Sequence, residues 1–346
     1  MTDLDVSELL DRATLAADAR WPGAAVRDLD RLPGGVSSLT FAARLEGPDR
    51  RVVVKVAPPG LAPVRNRDVL RQARVLRVLS AAGDVRVPEV LLEDAGTPPF
   101  FVMEFVAGDS YEPRLDVSDA PPSASTVRAR ALAAAEMLAR LQRVDPSGLD
   151  EEPLPVIEEL DRWQRLYATV PEALHAGQEE LYRRLADSLP EPVAPAILHG
   201  DYRIGNIQFD GDRLAAIIDW EIWSLGDPRT DLAWLITWLD PVQRFHEARS
   251  EADERAASGL PSRDELLAAY GDEPPDLAWF EAYCRYKMAS TTAVLVKQSR
   301  RRAVPLPHLE VAATTIPAMV ARGLDILDRG SVRRSPVQRQ RRQRAR

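Results

Sequence analysis

The chain of 346 residues has one cysteine, Cys284, which excludes an intrachain disulfide and any metal site built on several thiolates. Long apolar runs are missing too. No stretch approaches the roughly 18 apolar residues that a membrane helix needs, and MTDLDVSELL lacks the basic-then-apolar order of a leader. The expectation is a cytoplasmic protein with no membrane partner. No internal repeat is visible. What is present, 45% hydrophobic and 28% charged residues, suffices for real cores, and the length exceeds what one core usually serves, so two lobes are expected. The formal charge of −8 is unevenly spread, because the last sixteen residues, SVRRSPVQRQRRQRAR, carry seven arginines and no acid; without them the charge is −15. An acidic body argues against nucleic acid as the main ligand. The segment 331–346 reads as a basic, disordered, solvated tail.

The first hundred residues are rich in strand patterns. VRDLDRLPGGVSSLTFAARL reads as strand, glycine-containing turn and strand, and RRVVVKVAP follows as another strand. DVLRQARVLRVLSA then repeats Val69, Ala73, Leu76 and Leu79 at helical steps, and VPEVLLED and PFFVMEFVAG close the region as two more strands. A helix on a small antiparallel sheet results. After Gly108 the composition turns to a proline-containing loop and then to Ala/Leu/Arg-rich helices near 125–143, two within 155–190, and 228–240, 262–270, 275–302 and 309–328. The fold class is therefore α+β and two-lobed. Residues 1–104 form the smaller lobe and 105–330 the larger, mainly helical one, with a hinge at 104–108 where a cleft is expected.

Residues 198–221, LHGDYRIGNIQFDGDRLAAIIDWE, concentrate polar groups between apolar runs. Ile207 to Phe209 and Leu214 to Ile218 flank Asp210-Gly211-Asp212, a hairpin turn. His199 to Asn206 is a loop entering that hairpin, and Asp219 stands just past its second strand. The two ends of a hairpin are neighbours, so Asp201, Asn206 and Asp219 can converge. Two carboxylates and an amide oxygen suit Mg²⁺ rather than zinc, and a metal of that kind points to phosphoryl transfer. Trp220, Trp223, Trp234 and Trp238 follow as an aromatic group best explained by packing.

The spacing Asp201-x4-Asn206, with Asp219 after a hairpin, resembles the catalytic core of the protein-kinase-like fold. HGDYRIGN, IIDWE and GDPRTDLAWL together resemble the aminoglycoside phosphotransferase and choline kinase superfamily, over roughly residues 25 to 325. The resemblance implies that Asp201 accepts or orients the proton of a substrate hydroxyl, and that Asn206 and Asp219 are the metal ligands. It further implies that Arg203 neutralises charge on the transferred group. His199 is grouped with these catalytic residues as a brace of the loop. Glu221 is a support for the metal or the loop, Asp231 an anchor of the loop, and Asp227 a turn or cap residue.

On the nucleotide side, Lys55 sits among apolar residues of a strand and needs a partner, which phosphates would supply. By resemblance it is the phosphate-binding lysine. PGGVSSL, with Gly35, Ser37 and Ser38, would be the loop over the phosphates, while Met103, Glu104 and Val106 would be the hinge that meets adenine. The cofactors implied are ATP or GTP with Mg²⁺, and the partner is a small-molecule hydroxyl substrate such as an antibiotic, amino alcohol, sugar or hydroxyacyl compound. The insertion 109–124, the segment 150–190 and the helices after 240 would build its pocket. One departure is Gln72, which stands where the family places a glutamate for the lysine, with Asp68 one turn earlier as a substitute. That departure motivates the alternative reading, a nucleotide-binding pseudokinase or regulatory module. A metal-dependent phosphohydrolase is a third, opposed by Lys55 and the hinge.

Overall fold

The structure, a computed structural model, describes residues 4–32 and 38–333. It begins with a helix that the sequence reading missed, α1 (Val6–Arg20), started by Asp5, whose carboxylate accepts the Ser7 and Glu8 amides. The buried residues Leu9, Ala13 and Ala17 recur every four positions, and the alanines let the helix lie close to a sheet. Arg12 of α1 fixes this contact by a two-nitrogen grip on Asp94, at 2.7 and 3.3 Å.

The sheet contains β1 (Ala25–Arg31), β2 (Leu39–Glu46), β3 (Arg50–Val56), β4 (Val90–Asp94) and β5 (Phe100–Glu104), antiparallel in the order β1-β2-β3-β5-β4. Side chains alternate along β3. Val52, Val54 and Val56 cluster with α1, so Lys55 faces the opposite side. On that side lies α2 (Val69–Ala82), with Val69, Ala73, Leu76 and Leu79 buried together with Phe101. The expected order of strands and helix is the observed one. The core around α2 also continues into the helical part of the chain, so the two faces of the sheet belong to different cores.

The remainder is built of α3 (Ala124–Leu141), α4 (Val156–Tyr167), α5 (Gln178–Asp187), β6 (Ala196–Leu198), β7 (Ile207–Asp210), β8 (Arg213–Ile217), β9 (Ser224–Gly226), α6 (Arg229–Leu239), α7 (Glu251–Ala257), α8 (Arg263–Tyr270), α9 (Leu277–Ser299), α10 (Pro307–Ala313) and α11 (Ile316–Arg333). β7 and β8 form the expected hairpin, and β6 pairs with β9. The seven residues of α7 went unanticipated because they are mostly acidic and alanine, with little apolar periodicity. The single helix expected over 309–328 is two, divided before Pro317, which suits a first turn and not a helix interior. The last helix reaches Arg333, so the start of the expected tail is helical; the rest of that tail lies outside the described residues. Among the described residues no helix is long and apolar enough to cross a membrane.

A strap joins the sheet to the helical part. Asp109 and Phe209 exchange backbone hydrogen bonds of 3.0 and 2.9 Å. Gly108 has φ +144°, and a Cβ there would stand 2.5 Å from Phe209 O, so only glycine fits. Arg130 of α3 holds the Asp109 carboxylate at 2.6 and 2.9 Å and donates to Gly211 O at 3.0 Å.

Candidate active site

The loop between β6 and β7 has little regular structure, so side chains must shape it. Asp231, in the first turn of α6 and fully buried, accepts the amides of His199 at 2.6 Å and Gly200 at 3.0 Å. Burial pushes its carboxyl up, opposed by these donors and by Lys287. Gly200 has φ +86°, and a Cβ would meet Ile222 O at 2.7 Å. His199 is buried, with Nε2 2.8 Å from Ile218 O and Nδ1 3.3 Å from the Asp201 amide. A carbonyl only accepts, so Nε2 carries the proton and Nδ1 accepts. With both nitrogens committed, His199 braces the loop and has none left to exchange a proton with substrate, which corrects its grouping with the catalytic residues.

The Asp201 carboxylate is held at both oxygens. Oδ1 accepts the Trp234 indole N–H at 2.7 Å, and Oδ2 accepts Asn206 Nδ2 at 2.8 Å and Arg203 Nε at 3.2 Å. Asn206 Nδ2 also reaches Asp201 O at 2.9 Å, so the amide nitrogen is committed and Oδ1 is the group that could serve a cation. The Asn206 carbonyl accepts the Ile218 amide at 2.9 Å, which places Asp219 at the same end of the hairpin. Asp219 is half-exposed and has φ +63°. Among the described residues no group of three or more His, Cys, Asp or Glu side chains is placed to hold a metal ion.

Arg203 lies 5.2 Å from the centroid of Trp238 and 3.6 Å from Glu112. Glu112 accepts the Gly205 amide at 3.0 Å through Oε2, while its buried Oε1 has no hydrogen-bond partner. Burial pushes the Glu112 carboxyl up to about 7, against the pull of Arg203.

Lys55 is buried, and its Nζ meets Glu221 Oε1 at 3.1 Å and Asp219 Oδ1 at 3.4 Å. Neither helix candidate supplies a partner. Gln72 is turned to Asn66 O at 3.4 Å, and Asp68 caps α2 by accepting the Arg71 amide at 3.0 Å. Ser38 is buried and donates to Glu221 Oε1 at 3.0 Å; Gly35 and Ser37 lie outside the described residues. At the hinge the Glu104 amide is taken by Glu89 O at 2.9 Å. Met103 is partly buried on β5 and Val106 follows two residues beyond its end.

Beside this loop opens a cavity of about 1010 Å³, which Asp201 and Arg203 line together with Trp163, Trp234, Phe245 and Lys287. It includes residues of the 109–124 insertion, of 150–190 and of the helices after 240. Trp220 is a core residue as expected, but Trp223, Trp234 and Trp238 also line the cavity, and Trp234 binds Asp201. Asp227 forms a buried pair with Arg229 at 2.6 Å and is structural. Sequence reasoning missed Lys287, Glu112 and the indole bond. For Lys287 a signal existed: the chain has three lysines among 45 basic residues, and Lys55 and Lys287 both lie in this cleft. Arginine serves most surface charges equally well, so a buried lysine directs attention to what its compact ammonium touches.

Residues 28–280 match the family model described as the phosphotransferase enzyme family. A stretch of 286 residues, 77% of the chain, is 28% identical to acyl-CoA dehydrogenase family member 10 of Mus musculus and spans 26% of that protein's length. Among solved structures, a Ralstonia eutropha protein assigned as an aminoglycoside phosphotransferase superposes with a TM-score of 0.71, at 20% identity, over 94% of this chain and 99% of its own. A thermostable mutant of aminoglycoside phosphotransferase APH(4)-Ia, in a ternary complex with ADP and hygromycin B, gives a TM-score of 0.58 at 15% identity, covering 94% and 98%. At these identities the two structures establish the fold.

Proposed function

The chain belongs to the phosphotransferase enzyme family, and from that premise we propose that it is an ATP- and Mg²⁺-dependent kinase that phosphorylates a hydroxyl of a small molecule. The observation that carries this reading is the Asp201 carboxylate, fixed by Trp234, Asn206 and Arg203 at the edge of a large cavity. A carboxylate oxygen has two lone-pair sites. Oδ1 gives one to Trp234 and keeps one for the proton of an entering alcohol. As that proton moves to Asp201, the alcohol oxygen bonds the γ-phosphorus and the β–γ bridging oxygen leaves with ADP.

Asn206 Oδ1 and Asp219, at the same end of the hairpin, would offer hard oxygen ligands of the kind Mg²⁺ prefers, an ion that takes few protein ligands and completes its shell with water and phosphate oxygens. Bound there, the ion would neutralise charge on the phosphates. Lys55 would meet the α- and β-phosphates on leaving its acidic partners. Arg203, stacked on Trp238, would approach the transferred group with the N–H groups not engaged by Asp201.

The aromatic lining supports an acceptor with an extended apolar part. Its five acidic side chains, Glu151, Glu152, Glu159, Asp201 and Glu221, are matched in number by Arg65, Arg71, Arg162, Arg203 and Lys287, which leaves no excess of acid for a polycation. The murine relative, of whose length the match spans 26%, has acyl-CoA in its name, which is a reason to include hydroxyacyl thioesters among the acceptors tried. The test is incubation with MgATP and a panel of hygromycin B, a macrolide, choline, sugars and hydroxyacyl thioesters, with mass spectrometry for a phosphate ester. Asp201→Ala is expected to lower turnover at least about a hundredfold while nucleotide binding persists. Release of free phosphate alone, or full turnover in the variant, would sink this reading.

A further inference from the structure

The acceptor wall carries a charge that the chemistry above leaves unused. Lys287, within α9, is buried, and its Nζ donates to Gly200 O at 3.1 Å. That carbonyl belongs to the peptide leading into Asp201. The Gly200 amide is held by Asp231 Oδ1 at 3.0 Å, so this glycine is gripped at its N–H by α6 and at its C=O by α9. The same ammonium stands 4.8 Å from the ring centroid of Trp234 and 5.9 Å from that of Trp163, with Glu159 Oε1 at 3.7 Å. Trp234 in turn donates to Asp201 Oδ1 at 2.7 Å.

We propose that Lys287 and Trp234 act as one positioning unit, an ammonium stacked on an indole, that sets the direction of the Asp201 carboxylate from the acceptor side of the cleft. The inference rests on Asp201 being the base of a phosphoryl transfer. Packing alone does not explain the lysine, because a buried ammonium costs more than an apolar chain of the same length. A guanidinium would not replace it, being planar where this site needs a point charge between an indole face and one carbonyl. The stack reaches Asp201 by two routes. One is its preceding peptide, whose orientation the left-handed Gly200 would otherwise leave loose. The other is the carboxylate oxygen that receives the alcohol proton, whose rotation the indole N–H restrains. Loss of either contact lets the carboxylate turn away, and a misplacement near 1 Å can cost up to about a hundredfold in rate.

The test uses the full chain, MgATP and the best-accepting alcohol of the panel above. Two changes keep shape and remove one group each: Lys287→Met removes the charge, and benzothienylalanine in place of Trp234 removes the N–H. Each is expected to lower kcat about tenfold and to leave KM for MgATP within about twofold, while Lys287→Met also lowers Tm because Glu159 and Asp231 lose their nearby cation. Made together, they are expected to cost clearly less than the product of the two separate losses, since they act through the same residue. A Lys287→Met protein with wild-type kcat, or losses that simply multiply, would overturn the proposal. Asp201→Ala runs beside them. If it turns over normally, the base assignment has failed; if it is inactive while Lys287→Met is fully active, only the positioning unit is lost.

Discussion

The catalytic loop and the strand lysine face each other across one cleft and are held by opposite means. The loop is fixed from within its own lobe: Asp231 holds its amides, Lys287 its carbonyl, Trp234 and Asn206 its carboxylate, and Glu112 the Gly205 amide. Lys55 takes both its acidic partners, Asp219 and Glu221, from across the cleft, with none from α2. The difference separates a part that is ready before any ligand arrives from a part whose partners must change. If Asp219 serves the metal as proposed, the metal and the lysine would share it, and nucleotide entry would be an exchange of partners at Lys55 rather than a docking onto a preset charge.

The strongest way to break this contrast is Asp231→Ala. It strands two buried amides and removes one of the two carboxylates near Lys287, leaving Glu159 at 3.7 Å, and a loss of about 3 to 5 kcal/mol in unfolding free energy is expected, read from denaturant midpoints at constant slope. Glu112 gives the next effect and ties it to pH. Its carboxyl titrates near 7 when folded against 4.5 for the free group, so between those values the folded chain holds the proton and the unfolded chain has lost it. Stability therefore falls as pH rises from 4.5 to about 7 and is level above, whereas Glu112→Gln removes that slope. The gap between the two proteins should grow to at most about 3 kcal/mol by pH 8, in urea melts across the range.

On the other side of the cleft, Lys55→Met is expected to raise KM for MgATP about tenfold and to move Tm by no more than a few degrees, because the lysine serves phosphate more than fold. The smallest effect is reserved for Gln72→Glu. If the lysine is independent of α2, restoring an acid there changes KM for nucleotide by less than about threefold and only strains the contact with Asn66 O. A large gain in activity would show that α2 can still reach Lys55.

Much of this was legible in the chain itself, for identifiable reasons. The hairpin bearing Asp201, Asn206 and Asp219 announced itself because local alternation and a glycine turn fix it without distant help. The stripe of α2 was readable for the same local reason. Contacts made between distant segments were not: Glu221 meeting Lys55 is separated from it by 166 positions, and Lys287 reaches Gly200 across 87. Gln72 misled because the helix position was right and the direction of its side chain was not visible. α1 was passed over because a face of one leucine and two alanines is a weak apolar signal, although it shares a core with one face of the sheet.

The strap at Asp109 has a consequence for how the cleft can open. Since Asp109 is already laced to Phe209, and Arg130 ties both it and Gly211 to α3, a swing between the lobes would bend residues 105–108 and would also work against the contacts of Arg71 with Trp223 and of Arg86 with Ile217. The moving leaf is thus the sheet with Lys55, and the stationary frame is the hairpin with Asp201. In the proposed reaction spent nucleotide would leave by a tilt of the smaller lobe, and because Arg65, Asn66 and Arg71 of that lobe also line the acceptor chamber, the chamber would open with it.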